Sequence, residues 1–151
     1  IKDQKEKEAL QEKEILAHKQ ELSDLKEQEN KRKELELEKS KKEKENQLIQ
    51  QMRSDGGFPI LKLIDSSSSF KYEINKPIIS IGRDKQSNDI AISNNNLSRN
   101  HFKILFKDNN YKIIDNNSTN GIILNGRKIQ ESILTDGDTI EIAEMRFTFY
   151  K

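Results

Sequence analysis

Cysteine is absent from this chain of 151 residues, and histidine occurs only twice. Without cysteine, neither a disulfide framework nor a thiolate metal site can form. His18 and His101 lie far apart in the sequence, so the sequence predicts no metal site and no cofactor. No apolar run approaches the length of a membrane span, and no signal peptide is recognisable.

The chain also lacks an excess of charge of either sign, because it has 27 basic and 26 acidic residues. Such a balance does not favour nucleic acid as a partner, and nothing in the sequence indicates a membrane partner. The first residue is Ile rather than Met, so we expect a longer parent protein. We expect that parent to be intracellular, either cytoplasmic or nuclear.

Residues 1–53 contain no aromatic residue, no glycine and no proline. All nine aromatic residues lie beyond them, so we expect the packed core in residues 58–151. Residues 1–53 are rich in Glu, Lys, Gln and Leu, which predicts one long, charged α-helix. Glu27–Lys31, Glu29–Lys33 and Glu38–Lys42 have the spacing of stabilising acid–base pairs on a helix.

The apolar residues of this helix are too sparse for a strong coiled coil. Ile15, Leu22 and Leu25 fit one heptad frame, but the frame then places Glu29 and Arg32 on the seam. Two interpretations stay open. The segment is either a solvated spacer helix or a short parallel dimer near residues 10–25.

Residues 54–57 contain two glycines and precede Pro59, which predicts a flexible hinge. Beyond it the apolar period changes to two, and short Ile- and Phe-rich segments alternate with Ser, Asn, Asp and Gly clusters. This pattern is typical of an all-β sandwich or barrel. Asn125-Gly126 predicts a two-residue hairpin. The predicted strands are Phe58–Asp65, Phe70–Ile74, Pro77–Ile81, Asp89–Ile92, His101–Phe106, Tyr111–Asp115, Gly121–Leu124, Arg127–Lys128, Thr139–Ile142 and Met145–Tyr150.

Three loops carry more polar side chains than a turn requires: residues 82–88, 94–101 and 115–121. Each links neighbouring β-segments, so they could share one end of the sandwich. Binding residues of rigid scaffolds commonly lie on such loops.

Five short motifs in these loops and beyond occur in a recognisable order. They are Gly82-Arg83, Ser98 to His101, Ser118 to Gly121, Asn125-Gly126, and Leu134 with Gly137-Asp138 and Ile140. Together they resemble the forkhead-associated (FHA) domain over residues 58–151. The resemblance implies an eleven-stranded β-sandwich that binds phosphothreonine proteins in signalling and is not an enzyme. FHA domains are often fused to kinases, ubiquitin ligases or motor proteins, and some members act as phospho-independent assembly modules.

The resemblance implies that Arg83 and Ser98 contact the phosphate. Arginine offers a planar fork of donors that suits phosphate oxygens, and serine offers a hydroxyl donor. Taken alone, each residue has a plainer alternative. Arg83 could pair with Asp84 or Asp89, and Ser98 could bond its own turn.

The resemblance also assigns Thr119 to the support of the phosphate pocket and Asn120 to a hydrogen bond with the peptide main chain. The plainer alternative is that Asn120 is a left-handed turn residue before Gly121, and both roles could hold together. For Arg99 two roles stay open: a second phosphate contact, or a contact with a residue after the phosphothreonine.

Three further residues are predicted to support the binding loops rather than to contact the ligand. Gly82 and Gly121 are expected at positions that need a permissive backbone. The ring of His101 is implied by the resemblance to tie the loops together through hydrogen bonds.

Overall fold

The computed structural model describes residues 2–53 (side chains from residue 7), 57–64 and 69–151. It contains one helix, α1 (Lys2–Met52, 51 residues), in a stretch without helix-breaking residues. Glu29 and Lys33 form an ion pair at 2.8 Å. The pairs predicted at Glu27–Lys31 and Glu38–Lys42 do not form within 4.0 Å, because long exposed side chains gain little from pairing in water.

The described part of the remaining chain forms eleven strands. They are β1 (Ile60–Ile64), β2 (Ser69–Glu73), β3 (Ile78–Gly82), β4 (Ile90–Ala91), β5 (Phe102–Lys107), β6 (Asn110–Asp115), β7 (Ile122–Leu124), β8 (Arg127–Ile129), β9 (Glu131–Leu134), β10 (Thr139–Ile142) and β11 (Met145–Tyr150). They pair into a six-stranded sheet, β2-β1-β11-β10-β7-β8, and a five-stranded sheet, β4-β3-β5-β6-β9. The predicted β-sandwich with about eleven strands is confirmed.

The sequence predicts ten of these strands and misses β9. Within the described residues, this strand lies at the edge of its sheet and pairs with β6 alone. Its Ile133 is exposed and Glu131 is charged, so no apolar alternation marks it. Asp65, the predicted end of the first strand, lies outside the described residues.

The hairpin predicted at Asn125-Gly126 is present between β7 and β8. Leu124 pairs with Arg127 across the turn. Asn125 and Gly126 have φ values of 49° and 82°, as a type I′ turn requires.

The core consists of the inward-facing residues of both sheets. Phe102 of one sheet meets Phe147 of the other edge to face, with ring centroids 6.1 Å apart. Tyr111 and Phe149 make a second aromatic contact across the sheets, at 5.5 Å. This packing holds the strand ends, and therefore the loops that join them, in fixed positions.

The chain divides into two units, Ile1–Lys44 and Glu45–Lys151. The last helical turns therefore belong to the unit that contains the sandwich. Met52 is only 3% exposed within its core, Leu48 packs against that core, and the Tyr111 hydroxyl donates a hydrogen bond to the Met52 carbonyl at 3.1 Å. The prediction that the core lies wholly in residues 58–151 is wrong, because a few apolar residues at the end of a charged helix do not by themselves indicate what they pack against.

The hinge predicted at residues 54–57 lies largely outside the described residues, which resume at Gly57. The predicted division of the chain at 1–53, 54–57 and 58–151 stays a prediction.

Candidate functional site

Strand register brings the three polar loops to one end of the sandwich. Ile81, next to the end of β3, pairs with Phe102 at the start of β5, and Phe102 pairs with Asp115 at the end of β6. The loops after β3, before β5 and after β6 must therefore lie side by side.

These loops surround an open cavity of about 430 Å³. Arg83 comes from the first loop, Ser98 and Arg99 from the second, and Thr119 and Asn120 from the third. All five residues predicted to bind the phosphopeptide line this one cavity. The other lining residues are Asn95, Asn96, Leu97 and Asn100.

The side chain of Arg83 is exposed, and it forms no ion pair with a carboxylate of the described residues. Its Nη1 donates to Asn95 Oδ1 at 3.3 Å. Asp84 instead accepts hydrogen bonds from Ser87 and Gln86, which lower its pKa. The Arg83–Asp84 and Arg83–Asp89 pairs considered from the sequence are therefore wrong.

Asp89 is committed to its own neighbours. Its carboxylate pairs with Lys76 at 2.7 Å and accepts hydrogen bonds from the Ser80 amide and hydroxyl. The Lys76 hydrogen bond is the main cause of the lowered pKa of Asp89. Arg83 thus keeps its charge available in the cavity.

Ser98 joins the second loop to the third. Its Oγ accepts the Thr119 amide at 3.0 Å and lies 3.4 Å from Thr119 Oγ1, to which it donates. Its carbonyl accepts the Arg83 amide at 3.0 Å, which joins the first loop as well. The Ser98 hydroxyl is therefore bonded to Thr119 of the third loop and not to the backbone of its own turn.

His101 is fully buried beneath Ser98. Its Nδ1 accepts the Ser98 amide at 3.0 Å, and its Nε2 donates to the Gly121 carbonyl at 3.2 Å. Burial lowers the pKa of His101, and outweighs the Gly121 hydrogen bond and the Asp115 charge that act in the opposite direction. The ring is neutral with its proton on Nε2, and it spans the second and third loops.

Gly82 lies where the first two loops come into close contact. An added Cβ would stand 2.3 Å from the Arg99 carbonyl oxygen and 2.8 Å from Asn88 Nδ2. The Asn88 amide donates to the Arg99 carbonyl at 2.6 Å and to the Asp84 carbonyl at 2.7 Å. The bridge made by Asn88 is not apparent from the sequence, because an Asn in an Asn-rich chain has no distinguishing pattern.

Asn120 uses its amide nitrogen within the protein. Its Nδ2 donates to the Asn96 carbonyl at 2.8 Å, which leaves its Oδ1 to accept a hydrogen bond from a ligand. Asn120 is not among the residues with positive φ, so the left-handed turn considered from the sequence is wrong. Gly121, its neighbour, has φ +72°.

The run Asn94-Asn95-Asn96 builds the tip of the second loop. Asn94 Oδ1 accepts the Asn96 amide at 2.8 Å, and the Asn94 carbonyl accepts the Leu97 amide at 3.1 Å. Such local bonding is typical of asparagine turns. Leu97 is buried and anchors the turn, so Asn95 is held beside Arg83. Sequence reasoning missed Asn95 because the run lacks charge.

Two arginines, a serine and a threonine thus line one cavity on rigidly joined loops. Arginine and hydroxyl donors in such a cavity suit an anion with several acceptor oxygens. The fold and the site define a β-sandwich recognition module with an anion-binding loop surface.

Comparison with known proteins identifies the family. Residues 79–143 match the family model "FHA domain". The sandwich superposes on the FHA domain of the CT664 protein from Chlamydia trachomatis with a TM-score of 0.58, at 28% identity, covering 63% of this chain and 98% of that one. The chain therefore contains a forkhead-associated (FHA) domain.

Two further relatives carry functional information. The transcriptional regulatory protein EmbR of Mycobacterium tuberculosis is 34% identical over 103 residues, which cover 68% of this chain and 26% of EmbR. The structure of EmbR with a low-affinity phosphopeptide matches with a TM-score of 0.57, at 32% identity, over 69% of this chain and 28% of that one. A structure from a study of phosphothreonine-dependent FHA domain interactions matches with a TM-score of 0.57, at 28% identity. The match covers 62% of this chain and 96% of that one.

The FHA domain is a non-enzymatic interaction module, and this chain carries one. The chain spans about a quarter of the length of EmbR. In the described part of the chain, no helix is both long and apolar enough to cross a membrane.

Proposed function

We propose that the three-loop cavity of this chain binds the phosphate of a phosphothreonine, with Arg83 and Ser98 as its direct contacts. One observation supports the proposal above all. The guanidinium of Arg83 is bonded to the neutral Asn95 rather than to Asp84 or Asp89, and it belongs to a cavity that Ser98 also lines. A phosphate oxygen can replace Thr119 Oγ1 as the acceptor of the Ser98 hydroxyl, since that contact is long at 3.4 Å. The Thr119 amide keeps the Ser98 oxygen in place at 3.0 Å.

Thr119 and Asn120 extend the proposed site along the peptide. Thr119 supports the pocket through its bonds with Ser98, and Asn120 Oδ1 accepts an amide of the peptide main chain. Arg99 lines the cavity beside them, as either a second phosphate contact or a contact with the residue that follows. Gly82, His101 and Gly121 hold the three loops together.

Reversible binding is expected from the size of these contacts. A phosphate carries about −1.5 to −2 charges at neutral pH. Each hydrogen bond to it contributes about 1.5–3 kcal/mol, and ordering of the peptide offsets part of this gain. Two or three such bonds correspond to micromolar affinity. The same peptide without phosphate is expected to bind barely at all.

Calorimetry with a phosphothreonine peptide library and its unphosphorylated counterpart tests the proposal. Arg83→Ala should abolish binding while the domain stays folded. Arg127→Ala is the matched control, because Arg127 is an exposed arginine of β8 that does not line the cavity. Unchanged affinity of Arg83→Ala would reject the assignment.

We also propose that α1 pairs with a second copy of the chain through Ile15, Leu22 and Leu25. These three side chains are 49–68% exposed, so they are available for contact. A dimer would present two sites and gain avidity for doubly phosphorylated targets. In the alternative function, the helix assembles the protein and the sandwich binds partners without phosphate. Light scattering of the chain and pull-downs with phosphatase-treated partners separate these cases, and a monomer at all concentrations would refute the pairing.

A further inference from the structure

Lys128 of β8 lies over the backbone of Gly121. A Cβ added to Gly121 would stand 2.9 Å from Lys128 Cε and 3.5 Å from Nζ. Lys128 pairs with Ile123 of β7, and Gly121 lies one residue before the start of β7. Since Gly121 directly follows Asn120, the ammonium group stands at the rim of the cavity without lining it.

The ammonium group of Lys128 forms no ion pair with any described residue. Lys76, Lys112 and Arg146 each have a carboxylate within 3.4 Å. Across residues 7–53, 57–64 and 69–151, no carboxylate lies within 4.0 Å of the Lys128 ammonium. Its charge therefore remains available to an external partner.

We propose that Lys128 forms a subsite for an acidic side chain, Asp or Glu, that flanks the phosphothreonine in the bound peptide. This inference rests on the proposed binding of phosphothreonine in the cavity. Successive residues of an extended peptide are about 3.3 Å apart, so a peptide held by Asn120 reaches the next positions along the rim within a few residues. The long, flexible lysine stem can follow the carboxylate.

A plainer role for Lys128 is to cover the Gly121 backbone with its methylene stem. The two roles differ in what they affect. If Lys128 only covers the loop, its replacement changes the affinity of every phosphopeptide by the same factor. If it forms a charge subsite, its replacement also changes the preference for peptides that have an acidic residue within reach. An exposed ion pair contributes about a two- to fivefold change in affinity, and salt weakens it.

The experiment measures, on the full chain, the affinity of phosphothreonine peptides in an alanine background. A single Asp is moved through the positions before and after the phosphothreonine, and an all-alanine peptide is the reference. The variants are Lys128→Gln and Lys128→Glu. Arg127→Gln is the matched control, because it removes the same charge from the neighbouring position of β8, which faces the other side of the sheet.

We expect Asp at one or two adjacent positions to tighten binding to the unsubstituted chain by about two- to fivefold. Lys128→Gln should lose this preference and Lys128→Glu should reverse it, while Arg127→Gln keeps it. Each affinity is read relative to the all-alanine phosphopeptide bound by the same variant, because loss of a positive charge near the cavity also weakens every phosphopeptide. An acidic preference that survives Lys128→Gln, or equal losses for all peptides, would overturn the subsite while phosphothreonine binding stands. Failure of every phosphopeptide to bind the unsubstituted chain would overturn both proposals.

Discussion

Met52 should contribute to the stability of the sandwich although it belongs to the helix. It is 3% exposed, and its carbonyl accepts the Tyr111 hydroxyl. Met-to-Ala changes in protein cores cost about 2–5 kcal/mol. Met52 lies at the margin of the core, where neighbours can close part of the cavity, so Met52→Ala should destabilise by about 2–3 kcal/mol.

Urea denaturation of the whole chain measures this loss of stability. Circular dichroism at a β-sheet wavelength monitors the unfolding, because the chain contains no tryptophan for fluorescence. Leu35→Ala is the control, because Leu35 is a helix residue that is 53% exposed. Its effect should stay within about 0.5 kcal/mol. Tyr111→Phe removes the phenol hydroxyl and should cost about 1 kcal/mol.

A chain that begins at Phe58, the start that the sequence predicts for the domain, lacks both Met52 and Leu48. It should be less stable than a chain that begins at Glu45. Equal stability of these two chains, or of Met52→Ala and Leu35→Ala, would show that the helix end is not part of the domain.

Three other perturbations probe the site. Gly82→Ala should destabilise by about 1–3 kcal/mol in urea denaturation, because its Cβ would stand 2.3 Å from the Arg99 carbonyl oxygen; wild-type stability would contradict this contact. Asn95→Asp should weaken phosphopeptide binding by more than about tenfold in calorimetry, since it places a carboxylate beside Arg83 and the phosphate, whereas Asn95→Ala should lose less. The pKa of His101 is lowered in the folded chain, so below about pH 6.5 the unfolded chain binds more protons at this residue than the folded chain does. The stability that His101 contributes is therefore present above this pH and is lost as the pH falls through its folded-state pKa. Titration of its ring by NMR should give a pKa below 6.5, and His101→Asn should flatten that part of the pH profile of stability.

Local patterns in the sequence were sufficient for much of the architecture. The absence of breakers predicts the helix, and the change of apolar period predicts ten strands. Asn125-Gly126 predicts its hairpin, because only a few residue types adopt positive φ readily. β9 has no such pattern, because an edge strand need not bury alternate residues.

The motif order likewise pointed to Arg83, Ser98, Arg99, Thr119 and Asn120 as a set, and all five line one cavity. Their chemistry could be anticipated because each residue type has a fixed inventory of donors and acceptors. Their binding roles stay predictions until ligand affinities are measured.

Only the tertiary structure decided which partners these groups have. It formed no ion pair between Arg83 and Asp84 or Asp89, paired Asp89 with Lys76, and brought Lys128 over Gly121. It also buried Met52, a residue of a charged helix, in the core of the sandwich. Local sequence sets what a segment can form and which atoms it offers. Contacts between residues far apart in the chain depend on strand register and packing, which no local pattern contains.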